Sequence, residues 1–507
     1  MILKISNIRS FLVITGVLLL APVLASAQEN RFQALANSPQ FENRPTEASA
    51  AALMDELFFQ RASQIYLWAM PLINTMGMKT GSEKAFGAGY HVLPIWKKRL
   101  SAKTLVTTPN SDVIYAMSYV DLSGGPLVFD APPKLQGILL DFWQRPIQGP
   151  IIRGQNYMGD VGFFGPDGGK GGKFLLILPG YQGPIPEGYF PYRSLTNNVF
   201  IFLRGFYQDP ADLSPGVKTL EGTRVYPLGK EKEAKAMIYP DASGISVNML
   251  PAKDASAFDQ LKQLVDSEPA SLANPDWMGM LAAIGIEKGK PFNPDAKTRR
   301  ILDAAAASAY QMSRVLGTKS EINGVSYKVY PDRQWLNPMA SGNPFDMAWN
   351  RPTDGILALD SRTNFFTNYY SWSPGMVSQI PGKGANYMVA NFDSKGVPLS
   401  GSKNYKVTLP ANIPAANFWS ITLYDAEHSS GLDNGQPFPS LGSRDKPAVN
   451  AKGSIDLYFG AKAPAGKEKN WLATVPDRGF FAIIRLYSPT EGAFDGSWKP
   501  SDFEEIK

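Results

Sequence analysis

The spacing of apolar positions changes several times along the chain. From Pro45 onward, Ala50, Leu53, Leu57, Phe58, Ile65 and Trp68 recur at roughly helical spacing and predict an amphipathic helix. Pro71 should end or kink it, because proline has no amide hydrogen to donate. From about Thr104 to Leu228 the pattern becomes short apolar runs cut by Gly and Pro. Ile114 to Val120, Leu127 to Phe129, Gly137 to Trp143, Lys173 to Leu178 and Val199 to Leu203 read as strands. The Gly-rich stretch Gly165 to Gly172 is expected to join two of them as a hairpin loop.

Helical spacing returns from about Ala255 to Gly317. Phe258, Leu261, Leu264 and Val265 share one face. Trp277, Met280, Leu281 and Ile284 form a second segment closed by Gly285, and Arg299 to Leu316 a third ending at Gly317. Asn323 to Pro381 is mixed, with one helix predicted over Asp354 to Trp372. From Tyr387 the short runs resume: Tyr387 to Phe392, Tyr405 to Leu409, Phe418 to Leu423, Ile455 to Phe459 and Gly479 to Leu486. Asp393-Ser394-Lys395-Gly396 is a turn between two of them. Strands without intervening helices predict sandwiches or barrels, so the fold class is mainly β with a small helical domain.

Composition narrows the chemistry. The chain has 507 residues, enough for two or three domains. Its aromatic content of 12% and charged content of 19% exclude disorder as the main state. There is no Cys, hence no thiol nucleophile and no Cys-ligated metal, and two His rule out a three-His site. Lys4 and Arg9, the apolar run Phe11 to Leu24 and Ala25-Ser26-Ala27 read as a secretory signal cleaved after Ala27. The mature chain is therefore expected to be periplasmic or secreted and not membrane-spanning. The formal charge of +5 and short basic runs such as Lys97-Lys98-Arg99 predict no nucleic-acid partner.

Several motifs fail on context. Gly165 to Lys173 lacks the offsets and hydroxyl of a phosphate loop. Ser400-Gly401-Ser402-Lys403 spells S-x-x-K in turn-like sequence rather than at a helix start, and no G-x-S-x-G elbow exists. His91 reads as a satisfied structural residue. His428 follows Asp425 and Glu427, whose charges could raise its pKa, although an exposed loop His fits as well. No cofactor or metal is expected, with a carboxylate-held calcium left open.

Two segments concentrate polar and aromatic groups. In Thr108-Pro109-Asn110-Ser111-Asp112-Val113-Ile114-Tyr115, alternation puts Tyr115, Met117 and Tyr119 on one strand face and Ile114, Ala116 and Ser118 on the other. In Asn417 to Asp425, Trp419, Ile421 and Leu423 form a core face. Phe418, Ser420, Thr422 and Tyr424 form a mixed face of the kind that meets ligands. Arg485, inside a strand, should pair with a carboxylate or with a ligand anion.

Thr108-Pro109-Asn110-x-Asp112-x-x-Tyr115, then Asp121-Leu122 and Gly125-Pro126, resembles domain of unknown function 1254. Phe418-Trp419-Ser420-x-Thr422-Leu423-Tyr424-Asp425, Gly453-Ser454, Asn470-Trp471-Leu472 and Arg485-Leu486-Tyr487-x-Pro489 resemble domain of unknown function 1214. Gly285-Ile286-x-x-Gly289-Lys290-x-Phe292 is similar to the family's helical segment. The resemblance implies a tandem arrangement in an exported bacterial protein. It also implies an Ig-like β domain, a small helical domain and a C-terminal jelly-roll-like sandwich. It implies no activity and no catalytic residues.

The expected organisation is a signal peptide at 1–27, a flexible N-terminus at 28–45 and a helix plus β domain at 46–240. A helical subdomain at 241–330 and a β sandwich at 331–507 follow. The expected function is binding of a small or oligomeric ligand in an aromatic cleft between the two β domains. Asn110, Tyr115, Trp143, Arg204, Trp419, Tyr424 and Arg485 are the candidate ligand-binding residues. The alternatives are a cofactor-free or calcium-assisted hydrolase or lyase and an oligomeric structural protein. Catalytic candidates for the former are Asp112, Asp425, Glu427 and His428, acting on a glycan, lipid or aromatic substrate.

Overall fold

The computed structural model describes residues 30–340, 355–377 and 380–507. The expected signal peptide lies outside the described residues. The chain divides into two compact units, Met1–Ala62 and Ser63–Lys507. In the first, residues 30–36 are helical, β1 (Gln40–Phe41) pairs with β2 (Arg44–Pro45), and Arg31 bridges Glu56 at 2.7 Å. A helix over Glu47–Trp68 runs past the boundary between the units. The next helix, Met70–Phe86, starts with Pro71 in its first turn, where a missing amide hydrogen is harmless.

The helix Met70–Phe86 buries Met70 through Met78. Gly77 and Gly81, one turn apart, let backbone approach it. A Cβ on Gly77 would stand 2.3 Å from the Leu250 carbonyl oxygen, and one on Gly81 2.0 Å from that of Asn248. Beside this contact β3 (Thr104–Leu105) pairs in parallel with β14 (Val247–Asn248).

The first sandwich has two sheets. β4 (Ile114–Asp121), β6 (Gln136–Asp141), β9 (Asp160–Gly162) and β12 (Asn198–Gly205) form a four-stranded sheet in the order β4-β12-β6-β9. β5 (Leu127–Ala131), β7 (Gln148–Ile152), β8 (Gln155–Met158), β10 (Gly172–Ile177), β11 (Tyr189–Arg193) and β13 (Arg224–Pro227) form the other, in the order β13-β5-β10-β11-β7-β8. Ile114, Ala116, Val199, Ile201 and Leu203 of the first pack on Phe129, Phe174, Leu176 and Val225 of the second. The opposite face of the four-stranded sheet carries Tyr115, Tyr119, Phe200, Phe202 and Arg204. Registers Tyr119↔Phe200 and Tyr115↔Arg204 align these rows.

The Gly-rich loop does not close a hairpin. It crosses from β9 in one sheet to β10 in the other, and β10 pairs with β5 and, in parallel, with β11. Gly168, Gly169 and Gly171 adopt positive φ. The Asp167 carboxylate accepts from the Gly162 and Gly171 amides, which holds the crossing in place.

Helices Ser256–Ser267, Pro275–Ala283 and Ala296–Leu316 follow. Asn274 and Asp295 cap the last two through the Trp277 and Thr298 amides. Fully buried Glu268 ties this region to the start of β12, accepting from both backbone amides of Asn197 and Asn198 and from the Asn198 side chain. β15 (Glu321–Ile322) and β16 (Val325–Ser326) form a small hairpin. The helix expected over 354–372 is confined to Leu359–Asn368, and Asp354 lies outside the described residues. After Tyr369 the backbone is extended, and Ser371 has φ +60°, which breaks helical continuation.

The second sandwich also has two sheets. β17 (Ala385–Ala390), β19 (Ala415–Asp425), β20 (Ser440–Gly442) and β23 (Phe480–Pro489) run in the order β17-β23-β19-β20. β18 (Asn404–Leu409), β21 (Ile455–Gly460), β22 (Trp471–Ala473) and β24 (Glu504–Ile506) run β22-β21-β18-β24. Trp419, Ile421, Leu423, Ile484 and Leu486 meet Tyr405, Val407, Leu457 and Phe459 in its core. Phe418, Ser420, Thr422, Tyr424, Arg485 and Tyr487 are left on the other face of the first of these sheets.

Candidate functional site

The non-core faces of the β4-β12-β6-β9 and β17-β23-β19-β20 sheets are where the polar and aromatic rows stand. Between them runs a cleft of about 1150 Å³. Asn110, Gln136, Asp160, Phe163, Arg204 and Tyr207 line it from the N-terminal sandwich side; Tyr387, Phe418, Arg444 and Tyr487 line it from the C-terminal side. Ser373 and Met376 close it between them. Among the described lining residues Asp160 is the one carboxylate, against three cations, Arg204, Lys383 and Arg444. The Arg444 guanidinium lies 3.7 Å from the Phe418 ring centroid and 4.9 Å from that of Tyr207.

A smaller recess of about 40 Å³ shares Asn110, Arg204, Met376 and Tyr387 with the cleft and adds Tyr115, Tyr370 and Arg485. Arg204 follows Phe202 on β12 by two residues, and its guanidinium sits 5.0 Å from the Phe202 ring centroid. Arg485 is 3% exposed. Its Nη1 donates to Thr422 Oγ1 at 3.3 Å and its Nη2 to the Thr108 carbonyl at 3.1 Å. The rings of Tyr387 and Tyr424 flank it at 5.9 and 5.6 Å.

The Thr108 to Asp112 segment ties both sandwiches together. Thr108 has φ +39°, an uncommon conformation for a β-branched residue. Its amide donates to the Ser429 carbonyl and its hydroxyl to that of Asn368. The Tyr424 hydroxyl donates to the Pro109 carbonyl at 2.5 Å. Asp112 Oδ2 accepts from Ser420 at 2.7 Å and from Tyr487 at 2.9 Å, and its carbonyl from Arg444 at 2.8 Å. Asn110 Nδ2 donates to the Tyr115 hydroxyl.

Burial sets the titration behaviour. It pushes the hydroxyls of Tyr115, Tyr370, Tyr424 and Tyr487 above the ordinary phenol range, so they remain hydrogen-bond donors at neutral pH. Burial also pushes Asp160 up to about 7, against the opposing pull of the Gly375 amide, the Ser373 hydroxyl and the Arg204 charge. Those partners donate at 2.8 Å from Gly375 and 2.9 Å from Ser373.

The structure gathers four of the seven candidate ligand-binding residues at this place: Asn110, Tyr115, Arg204 and Arg485. Tyr424 lies directly behind them, beside Arg485. Trp419 turns the other way, into the sandwich core, because alternation along β19 sends it there with Ile421 and Leu423. Trp143 stands elsewhere, edge-on to Trp68 at 4.9 Å, with its indole nitrogen donating to the Leu272 carbonyl.

Of the candidate acids, Asp112 borders the cleft through its partners. Asp425, Glu427 and His428 line neither cavity. Asp425 binds Arg478 at 3.1 Å, Glu427 binds Lys253 at 3.2 Å, and His428 Nδ1 meets Ser430 Oγ at 3.0 Å. Burial lowers the His428 pKa more than Asp425 and Glu427 raise it. Among the described residues no three His, Asp or Glu cluster as a metal site.

Sequence reasoning missed Asp160, Arg444 and Tyr387. An acid between Gly159 and Val161, in a run that reads as loop, was a signal for the first. Arg444 and Tyr387 carry no local signature, since register and folding bring them to the cleft.

Residues 92–227 match the family described as protein of unknown function (DUF1254), and residues 384–491 match protein of unknown function (DUF1214). The two matches stand in tandem along the chain, in the order that its sequence motifs suggested, and both arginines of the recess lie inside the matched segments. No curated protein matches the chain. Among solved structures, it is similar to the VPA0106 protein from Vibrio parahaemolyticus, at 16% identity and a TM-score of 0.52. That match covers 89% of this chain and 100% of that one, and it shows a shared fold. An uncharacterised protein from Burkholderia cenocepacia matches at 13% identity and a TM-score of 0.38, over 90% of this chain and 98% of its own.

Proposed function

We propose that this protein is an exported cell-envelope binding protein, released by cleavage after Ala27, that holds a small or oligomeric ligand between its two sandwiches. The observation that carries this reading is the cleft of about 1150 Å³, walled by aromatic rings and supplied with a few convergent polar groups. Ligand sites are commonly concavities of this composition at domain junctions. The Ig-like and jelly-roll-like descriptions of the two sandwiches belong to the same reading and rest on the paired sheets of each half.

The cleft is better equipped to hold than to cut. A glycosidase-type mechanism needs two carboxylates about 5–9 Å apart across the substrate. Among the described lining residues Asp160 stands by itself. Asp160, raised to about 7, favours a second reading, in which it serves as a general acid or base.

One screen separates the two. The mature chain is incubated with a panel of aromatic acids, oligosaccharides and lipids, and its thermal midpoint and the panel's integrity are followed. A compound that raises the midpoint and is recovered unchanged supports binding. Turnover that disappears in Asp160→Asn supports the enzyme instead, and a panel with no stabilising compound counts against the binding reading.

A further inference from the structure

At the back of the cleft two guanidinium groups face a shared recess with no carboxylate among its described lining residues. Neither Arg204 nor Arg485 has an ion pair among the described residues, and the Nε atoms of both are buried without a hydrogen-bond partner. Among the described residues the terminal nitrogens of Arg485 donate to neutral oxygens, on Thr422 and Thr108. No Asp or Glu is among the described residues lining the recess. The carboxylates nearest in the network are committed: Asp160 to Ser373 and Gly375, Asp112 to Ser420 and Tyr487. The fold does supply partners to other arginines, giving Asp141 to Arg145 at 2.7 Å and Asp425 to Arg478 at 3.1 Å.

Arginine remains charged at any working pH, and a charge withdrawn from water without a partner is costly, most of all at buried Arg485 and less at half-buried Arg204. A neutral donor completes the set. The Tyr115 hydroxyl accepts from Asn110, so its own proton is free to point into the recess, and burial keeps that proton in place. The volume of about 40 Å³ exceeds the roughly 10–15 Å³ that a single water needs, so a compact polar group fits.

We propose that the recess is a seat for the oxoanion of an organic acid, a carboxylate or sulfonate. It enters between Arg204 and Arg485 and accepts from Tyr115. The apolar or aromatic body of the same molecule extends along the cleft toward Phe163, Tyr207 and Phe418. The assignment rests on the binding reading above and names the chemical class of its ligand. Charge-assisted bonds from guanidinium to oxoanion are the strong ones, so charge on the ligand should decide affinity.

Two dyes with one aromatic skeleton test it. 8-Anilinonaphthalene-1-sulfonate carries the anion, and N-phenyl-1-naphthylamine lacks it. Both are titrated by fluorescence into the mature chain and into its Arg204→Gln and Arg204→Lys variants. The sulfonate should bind the unsubstituted chain at least about tenfold more tightly than the amine. That preference should collapse in Arg204→Gln and survive in part in Arg204→Lys, while the affinity of the neutral dye stays level and reports an intact cleft. Equal binding of the two dyes overturns the oxoanion seat and leaves the binding reading standing, as does an undiminished preference in Arg204→Gln. Failure of both dyes to bind the unsubstituted chain overturns the seat and the binding reading together.

Discussion

Asp160 shows how one residue couples the cleft to pH. Its folded-state pKa of about 7 lies above the ordinary 3.8 because burial disfavours the carboxylate. Between about pH 4 and pH 7 the folded chain therefore retains a proton that the unfolded chain has released. Stability from this group is full below the unfolded value and declines as pH rises to the folded one, by at most about 1.4 kcal/mol per pH unit for a single proton. Asp160→Asn removes this dependence. Its stability relative to the unsubstituted chain should rise from pH 4 to pH 7 and then level off. Urea unfolding midpoints across that range, at unchanged slope, check the expectation. A difference that stays flat with pH would remove Asp160 as the titrating group.

At the scale of elements, glycine placement makes a sharper prediction than helix propensity alone. Gly77 and Gly279 both lie inside helices. A methyl at Gly77 would press on the Leu250 backbone, whereas nothing lies within 4 Å of one at Gly279. Gly77→Ala should destabilise the chain by about 1–3 kcal/mol through overpacking. Gly279→Ala should stabilise it by about 0.5–1 kcal/mol through the unfolded state. Thermal or urea unfolding of the two variants side by side gives the comparison. Legibility from sequence also divides at this scale. Strands with dense apolar runs, such as β4, β12, β19 and β23, were readable, and so was the face on which Tyr115 stands. Polar or short strands were not: β7, β8 and β11 combine Gln, Gly, Pro and Tyr, and only their pairing, β7 with β8 and β11 with β7 and β10, makes strands of them. The Gly-rich crossing looked like a hairpin because local turn chemistry carries no information about which sheet receives the next strand. The candidate site was half legible for the same reason. The place of Arg485 inside a strand marked it as needing a partner, and alternation put Trp419 on the core face even as it stood among the ligand-binding candidates, but no local pattern announced that Arg204 and Arg485 would share a recess.

At the scale of the whole molecule, the junction of the two sandwiches is where specificity and stability pull apart. The Thr108 to Asp112 segment, with contacts to β19, β23 and the Leu359–Asn368 helix, is strongly satisfied. The guanidinium pair beside it is not. Replacing Arg204 by an apolar side chain of similar length should therefore improve the empty protein. Arg204→Met is expected to raise unfolding stability by about 1–3 kcal/mol, measured by denaturant titration without ligand. Unchanged or lower stability would mean that the fold already compensates the charge.

That opposition has a consequence over generations. An apolar substitution at Arg204 would be welcomed by folding alone, so neutral drift under selection for abundance erodes this recess before it erodes the sandwiches. Lineages that no longer meet the ligand should keep the architecture and lose the arginines, and the two residues together would then sort descendants that still bind from those that merely fold.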